Sequence, residues 1–307
     1  MSRIWFAKGL RGPIARRLQQ ALLQAGFCVG PADTFVDGFF GGDTETALKQ
    51  LQAKHGLPVH GQVDAATWQQ LTSDPLPSLF ERCLGMTAQF EGHGFGSLQG
   101  NFDGAGLTWG IIGFTLKNGQ IQALLAEAEA AAPGTLAHTL GPLLPTWQQV
   151  VAKPIAEQVA WADSISSGPS KSRVPAEWQQ AFERLAEDPT VQYLQMKRAY
   201  EKYFLPACAS ARKLGLVSEL GIELAFDVHV QNGSFKPGAF AMAAALPAGT
   251  AEIERRRRLA HAVADSANPR WAEDVRARKL TLANGQGSVH QRSYTLASWG
   301  LSEVDAA

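Results

Sequence analysis

Two carboxylates and one hydroxyl stand at spacings that suit chemistry: Glu91, Asp103 and Thr108. Glu91 closes the apolar run Met86-Thr87-Ala88-Gln89-Phe90 and is followed by Gly92, so the pattern predicts a carboxyl group at a helix C-terminus. There it meets the negative end of the helix dipole, with Phe90 and Phe95 near enough to strip water from it, and both effects favour the protonated acid. A glycosidic leaving oxygen requires such a proton donor. Twelve residues on, Asp103 lies in a glycine-rich turn. Backbone N–H groups and water there would keep a carboxylate ionised, as a base or a stabiliser of an oxocarbenium-like centre must be. Thr108, two residues after Gly106, could hold a water for that base. Spacing alone fits equally a surface helix end and an ordinary Asp-Gly turn.

These residues need a scaffold, and the chain is long enough to supply one. Its 307 residues suffice for two domains, and 45% apolar with 18% charged residues is a globular composition. Disorder, collagen and coiled coil are excluded. Lys plus Arg and Asp plus Glu both number 28, so no global charge drives the protein onto nucleic acid or an anionic membrane. Cys28, Cys83 and Cys208 are odd in number, far apart and without metal-ligand spacing, and are expected to be buried free thiols in a reducing cytosol. The start MSRIWFAKGLRGPIARRL has no apolar run of signal-peptide length. A cytoplasmic product is expected, delivered by a pore or secretion machine if it acts elsewhere.

Helical periodicity predicts three short helices in the first 72 residues: Pro13 to Ala25, Asp43 or Thr44 to Gly56, and Asp64 to Leu71. The connections Val36-Asp37-Gly38 and Val59-His60-Gly61 echo each other, with glycine where a turn needs positive φ. The set Leu18-Gln19, Asp37-Gly38-Phe39-Phe40-Gly41, Thr44 to Gln52, Gly56-Leu57-Pro58 and Gly61-Gln62-Val63-Asp64 to Trp68 resembles the three-helix peptidoglycan-binding domain found beside many cell-wall hydrolases. The resemblance implies polymer contacts at Asp37, Phe40 and Trp68. Ser73-Asp74-Pro75-Leu76-Pro77-Ser78 reads as a linker, and residues 79–307 as a second domain. Helical patterns dominate it: Leu79 to Phe90, Ile121 to Ala130, Pro154 to Ile165, Ala176 to Leu185, Val191 to Lys213, Ser218 to Val230 and Ala251 to Ala267. Gly100 to Phe114 reads as a glycine-rich hairpin or small sheet.

Phe90-Glu91-Gly92 with Asp103-Gly104-Ala105-Gly106-Leu107-Thr108-Trp109-Gly110-Ile111-Ile112-Gly113-Phe114 resembles the active-site stretch of glycoside hydrolase family 46, the chitosanases, and more loosely that of phage lysozymes. The resemblance implies a mainly α, lysozyme-like domain with a minor β lobe, following a three-helix bundle. It assigns Glu91 as general acid, Asp103 as general base and Thr108 as the residue that positions water. Two features depart from the family: the Glu-to-Asp interval is shorter, and Gln120 stands where chitosanases place an aspartate that pairs with a glucosamine ammonium. An amide cannot form that ion pair but can hydrogen-bond an acetamido or lactyl oxygen, which favours N-acetylated glycans, above all peptidoglycan.

Asp227 and Gln231 lie one turn apart on a predicted helix. They line a substrate cleft, or Asp227 is buried against an arginine such as Arg276 or Arg278. His229 has no partner at metal-ligand spacing and reads as structural. Glu252 to Arg256 and Glu254 to Arg258 are i,i+4 pairs, expected on a solvated helix face. Together these readings describe a peptidoglycan hydrolase of lysozyme type, bacteriolytic and antimicrobial, needing no metal or organic cofactor. It is expected to act as a monomer on the wall polymer, with no nucleic acid partner and no membrane insertion, as a phage endolysin or, second, a secreted effector. A chitosanase or chitinase, a lytic transglycosylase and a non-catalytic wall-binding protein remain as alternatives.

Overall fold

A computed structural model describes residues 2–91 and 94–306, and the chain is mainly helical with short antiparallel strands. Two units are distinguished: residues 1–90 with 202–307, and residues 91–201. Gly92, expected to end the helix that carries Glu91, lies outside the described residues.

The chain opens with β1 (Ile4–Phe6), α1 (Pro13–Gln24), α2 (Ala32–Phe35), α3 (Gly42–Lys54), β2 (Val63–Asp64) and α4 (Ala65–Leu71). Pro13 starts α1, whose apolar face buries Ile14, Leu18 and Leu22. The two echoing connections share one physical device. Gln19 accepts from the Gly38 N–H (2.7 Å) and donates to Thr44 Oγ1 (3.0 Å), and Gln52 accepts from the Gly61 N–H (2.9 Å) and donates to Thr67 Oγ1 (3.1 Å). Both glutamines are buried, and both glycines have positive φ (77° and 69°), so the repeat is a clamped turn used twice. The 73–78 connector is held: Trp68 Nε1 donates to the Asp74 carbonyl (2.9 Å), and Arg17 pairs with Asp74 (2.7 Å). The residues flanking β1 meet the chain's last segment, with Arg3 donating to the Gly300 carbonyl (2.7 Å) and Ser298 Oγ donating to the Lys8 carbonyl (2.9 Å).

After α5 (Leu79–Glu91) come β3 (Leu98–Gln99), β4 (Thr108–Trp109) and β5 (Phe114–Thr115), one antiparallel sheet with Gln99 opposite Thr108 and Thr108 opposite Thr115. The expected glycine-rich lobe is this sheet. Then follow α6 (Gln120–Ala131), α7 (Thr135–Leu140), α8 (Leu144–Val151), α9 (Ile155–Ile165), α10 (Ala176–Glu187) and α11 (Pro189–Ala199). Trp109, Trp147 and Trp178 pack around Phe182 as the aromatic core of this unit. The helix expected to run from Val191 to Lys213 is interrupted by a π-helical turn, Tyr200–Phe204, before α12 (Leu205–Lys213). Pro206, in the first turn of α12, donates no hydrogen bond and crowds the preceding turn, so the ladder changes register there.

The chain continues with α13 (Glu219–Asn232), α14 (Pro237–Ala244), α15 (Glu252–Asp265), α16 (Ala272–Asn284) and the hairpin of β6 (Gln286–Val289) and β7 (Arg292–Thr295). Phe80, Phe204 and Phe226 form an edge-to-face triad in this core. The solvated face expected around Arg256 is corrected: Arg258 does pair with Glu254 at the surface, whereas Arg256 is fully buried. It donates to the Ala283 carbonyl (3.0 Å) and pairs with Glu303 (2.5 Å), tying α15 to the C-terminal segment. The cysteines are free; Cys83 is buried, but Cys28 and Cys208 are only half-buried.

Candidate functional site

The candidate catalytic residues Glu91, Asp103 and Thr108 fall in one unit, residues 91–201. Asp103 is exposed in the 100–107 turn between β3 and β4, and its Oδ1 accepts the Ala105 N–H at 2.9 Å. A backbone donor thus meets the carboxylate. Asn101 pins the turn from beneath: its Oδ1 accepts the Gly106 N–H (2.8 Å) and its Nδ2 donates to Asp163 Oδ1 (2.8 Å). Lys171 closes on the other Asp163 oxygen (2.5 Å). The Lys171 ammonium, then the Asn101 amide, hold the Asp163 carboxyl below its ordinary value. Gly106 has φ of 80°, and a Cβ there would stand 3.1 Å from Leu116, so the turn packs where only glycine fits. Asn101 and Asp163 were not singled out in the sequence; the asparagine's place five residues before Gly106 was the available signal.

Thr108 is buried on the central strand, and its Oγ1 has no hydrogen-bond partner among the described residues. A buried hydroxyl in that state is ready to take one. Fully buried Gln195 holds the turn that follows, accepting from the Ile111 N–H and donating to the Phe95 carbonyl, both at 3.0 Å.

Glu91 is the half-buried last residue of α5. The turn before it is anchored by a buried polar cluster. Thr87 Oγ1 lies 3.1 Å from Glu223 Oε1 and 3.2 Å from Asp227 Oδ1, and the Arg278 guanidinium stands 4.9 Å over the Phe90 ring. Asp227 is fully buried between Arg278 (2.6 Å) and Lys279 (2.5 Å). Burial alone would raise its carboxyl; the guanidinium and ammonium outweigh that and hold it below its ordinary value. Burial, then the neighbouring Asp227 charge, push Glu223 well above its ordinary value, so Glu223 is the proton-bearing member of the pair.

Several expected substrate contacts are placed elsewhere. Asp227 takes the buried-ion-pair alternative, with Arg278 and not Arg276, which pairs with Asp265 and Glu273. Gln231 accepts from Lys279 (2.7 Å) and lines a cavity. Gln120 is corrected: it is 4% exposed at the start of α6, and its Oε1 accepts from the Thr115 N–H (3.0 Å), so the amide closes the β5–α6 turn. Phe40 and Trp68 are corrected too. Both are core residues, 0% and 1% exposed, because the short helices of that segment need their bulk to close. Asp37 is exposed, with Oδ1 accepting from the Phe39 N–H and from Gln19. The aromatic face nearer the surface is half-buried Phe39, under the Arg11 guanidinium at 3.8 Å. His229 is structural as expected, buried and 2.9 Å from Ser210 Oγ.

Residues 86–246 match glycosyl hydrolase family 46. The chain belongs to that family. Residues 11–71 separately match a peptidoglycan binding domain. No curated protein matches the chain. Among solved structures, a chitosanase complex is 24% identical with a TM-score of 0.47, covering 69% of this chain and 94% of that one. A Gynuella sunshinyii chitosanase with chitotetraose is 17% identical at TM-score 0.48, covering 72% and 98%. A mutant Bacillus subtilis chitosanase complexed with glucosamine is 18% identical at TM-score 0.47, also covering 72% and 98%. This family 46 protein is a glycoside hydrolase, and the same chain carries the match to a peptidoglycan binding domain at residues 11–71.

Proposed function

We propose that the protein hydrolyses the β-1,4 bonds of bacterial peptidoglycan, with residues 1–72 as the wall-binding module, 73–78 as connector and 79–307 as the hydrolase. The observation that carries this reading is the pairing, on one chain, of a peptidoglycan-binding domain with a family 46 domain. Holding an insoluble polymer raises the local concentration of scissile bonds for the attached enzyme. Glu91 protonates the leaving oxygen, Asp103 activates water, and the otherwise unpartnered Thr108 hydroxyl orients that water. An enzyme of this kind reaches its wall as an endolysin released through a holin, or as an effector exported by a secretion machine, and is bacteriolytic there.

The test is digestion of purified sacculi by wild type and Glu91→Gln, with mass spectrometry of the products and chitosan as a parallel substrate. Glu91→Gln keeps the shape but removes the transferable proton, and should lower the rate on the order of 10²-fold or more. New reducing ends from sacculi support the reading. Anhydro ends would make the enzyme a transglycosylase, and turnover of chitosan alone would make it a chitosanase.

A further inference from the structure

In the unit formed by residues 1–90 and 202–307, a cavity of about 300 Å³ opens beside the C-terminal end of α13, between the starts of α14 and α16. Its polar groups form an unmatched set. Asn232 Oδ1 is buried with no hydrogen-bond partner among the described residues, a costly state unless a ligand N–H supplies the donor. Gln231 and Asn268 use their carbonyl oxygens within the protein, accepting from Lys279 and from the Arg270 N–H, which leaves their amide NH2 groups to donate. Lys236 on the cavity wall has no ion-pair partner among the described residues. The nearby carboxylates are engaged elsewhere, Asp265 and Glu273 with Arg276 and Asp274 with His290. Trp271, 54% exposed, adds a flat, rigid apolar surface.

We propose that this cavity is a subsite for an N-acylated sugar that also carries a carboxylate, the chemistry of a muramyl unit with its lactyl group and stem peptide; this rests on the peptidoglycan reading above. The acyl N–H goes to Asn232, the acyl carbonyl to an amide NH2, the carboxylate to Lys236, and the apolar face of the ligand to Trp271. A glucosamine ammonium is disfavoured because it would face the like-charged Lys236 ammonium.

The test uses the full-length protein, titrated calorimetrically with muramyl dipeptide, with di-N-acetylchitobiose and with the glucosamine dimer. Lys236→Gln and Trp271→Ala change exposed side chains, so circular dichroism and Tm should match wild type. Muramyl dipeptide affinity should fall about tenfold in each variant, while Lys236→Gln leaves di-N-acetylchitobiose binding unchanged. The loss on substitution, and not binding itself, locates the ligand, since the N-terminal module is present throughout. Unchanged muramyl dipeptide affinity in both variants overturns the subsite, as does tighter binding of the glucosamine dimer than of muramyl dipeptide by wild type. The KM for sacculi, read on the same preparations, separates the two claims. A wild type that releases no reducing ends from sacculi refutes the peptidoglycan reading, whereas release with an unchanged KM in both variants refutes the subsite alone.

Discussion

Replacing Asp227 by Asn probes the buried cluster that anchors Thr87 with little change of shape. Asp227 is fully buried and receives two contacts from Arg278 Nε (3.0 Å to each oxygen), one from Arg278 Nη2 (2.6 Å) and one from Lys279 Nζ (2.5 Å). In the variant an NH2 group faces donors, and two buried cations lose the Asp227 charge. Breaking a buried ion pair costs about 3–5 kcal/mol, which for a unit of this size is a drop in Tm on the order of 10 °C. Glu223 complicates the ledger usefully. It is kept protonated by burial and by the Asp227 charge, and Arg278 acts on it in the opposite sense. Once Asp227 is neutral, Glu223 should ionise and take over part of the compensation. Asp227→Asn alone should therefore fall at the low end of the range. Asp227→Asn with Glu223→Gln should cost at least about 1 kcal/mol more than the sum of the single changes. Differential scanning calorimetry of the four proteins at pH 7 closes the cycle. Additivity within a few tenths of a kcal/mol would refute the idea that the two carboxyls share one charge.

Glu223→Gln alone should stabilise the protein as pH rises. The folded wild type holds a proton that the unfolded chain releases above about 4.5, so wild-type stability falls as pH climbs from there toward the raised folded value, and the Gln variant lacks this loss. The Tm difference should vanish below that pH and widen above it; a constant difference from pH 4 to 8 would show that Glu223 is already charged. Asn101→Ala removes the acceptor for the Gly106 N–H and the donor to Asp163. It should lower kcat on sacculi on the order of tenfold with little change in KM or Tm; an unchanged kcat would mean the Asp103 turn holds its shape without it. Trp68→Ala should destabilise by about 3–5 kcal/mol, since its ring packs on Phe6 in the core. Loss of sacculus binding at constant Tm would instead return Trp68 to the polymer surface.

Legibility in the sequence followed the kind of interaction at each place. The helices with a one-sided apolar stripe were readable: α1 has it, and its expected start at Pro13 is where the helix begins. The glycine-rich β lobe was readable because five glycines among β-formers suit few other structures. The helices α7, α8, α14 and α16 were not. Gly141, Pro142 and Pro145 break the first two into short pieces, and α16 buries Arg278 and Lys279 where a periodicity argument looks for leucine. Those cations are buried because Asp227 meets them from α13, a long-range pairing that local pattern does not encode.

The same distinction separates the site residues. The turn at Asp103 and the strand at Thr108 were legible because they lie within one short stretch of chain, so local sequence fixes both. What holds them lies far along the chain: Asp163 grips Asn101 across 62 residues, and Gln195 grips Ile111 across 84. Phe40 and Trp68 misled for a related reason. An aromatic residue inside a recognition motif reads as a contact, yet a module of about 60 residues has so little interior that its largest side chains must close the core. Half-buried Phe39 under Arg11 is left nearer the surface than Phe40, a difference between two identical residue types that packing, and not the motif, decides.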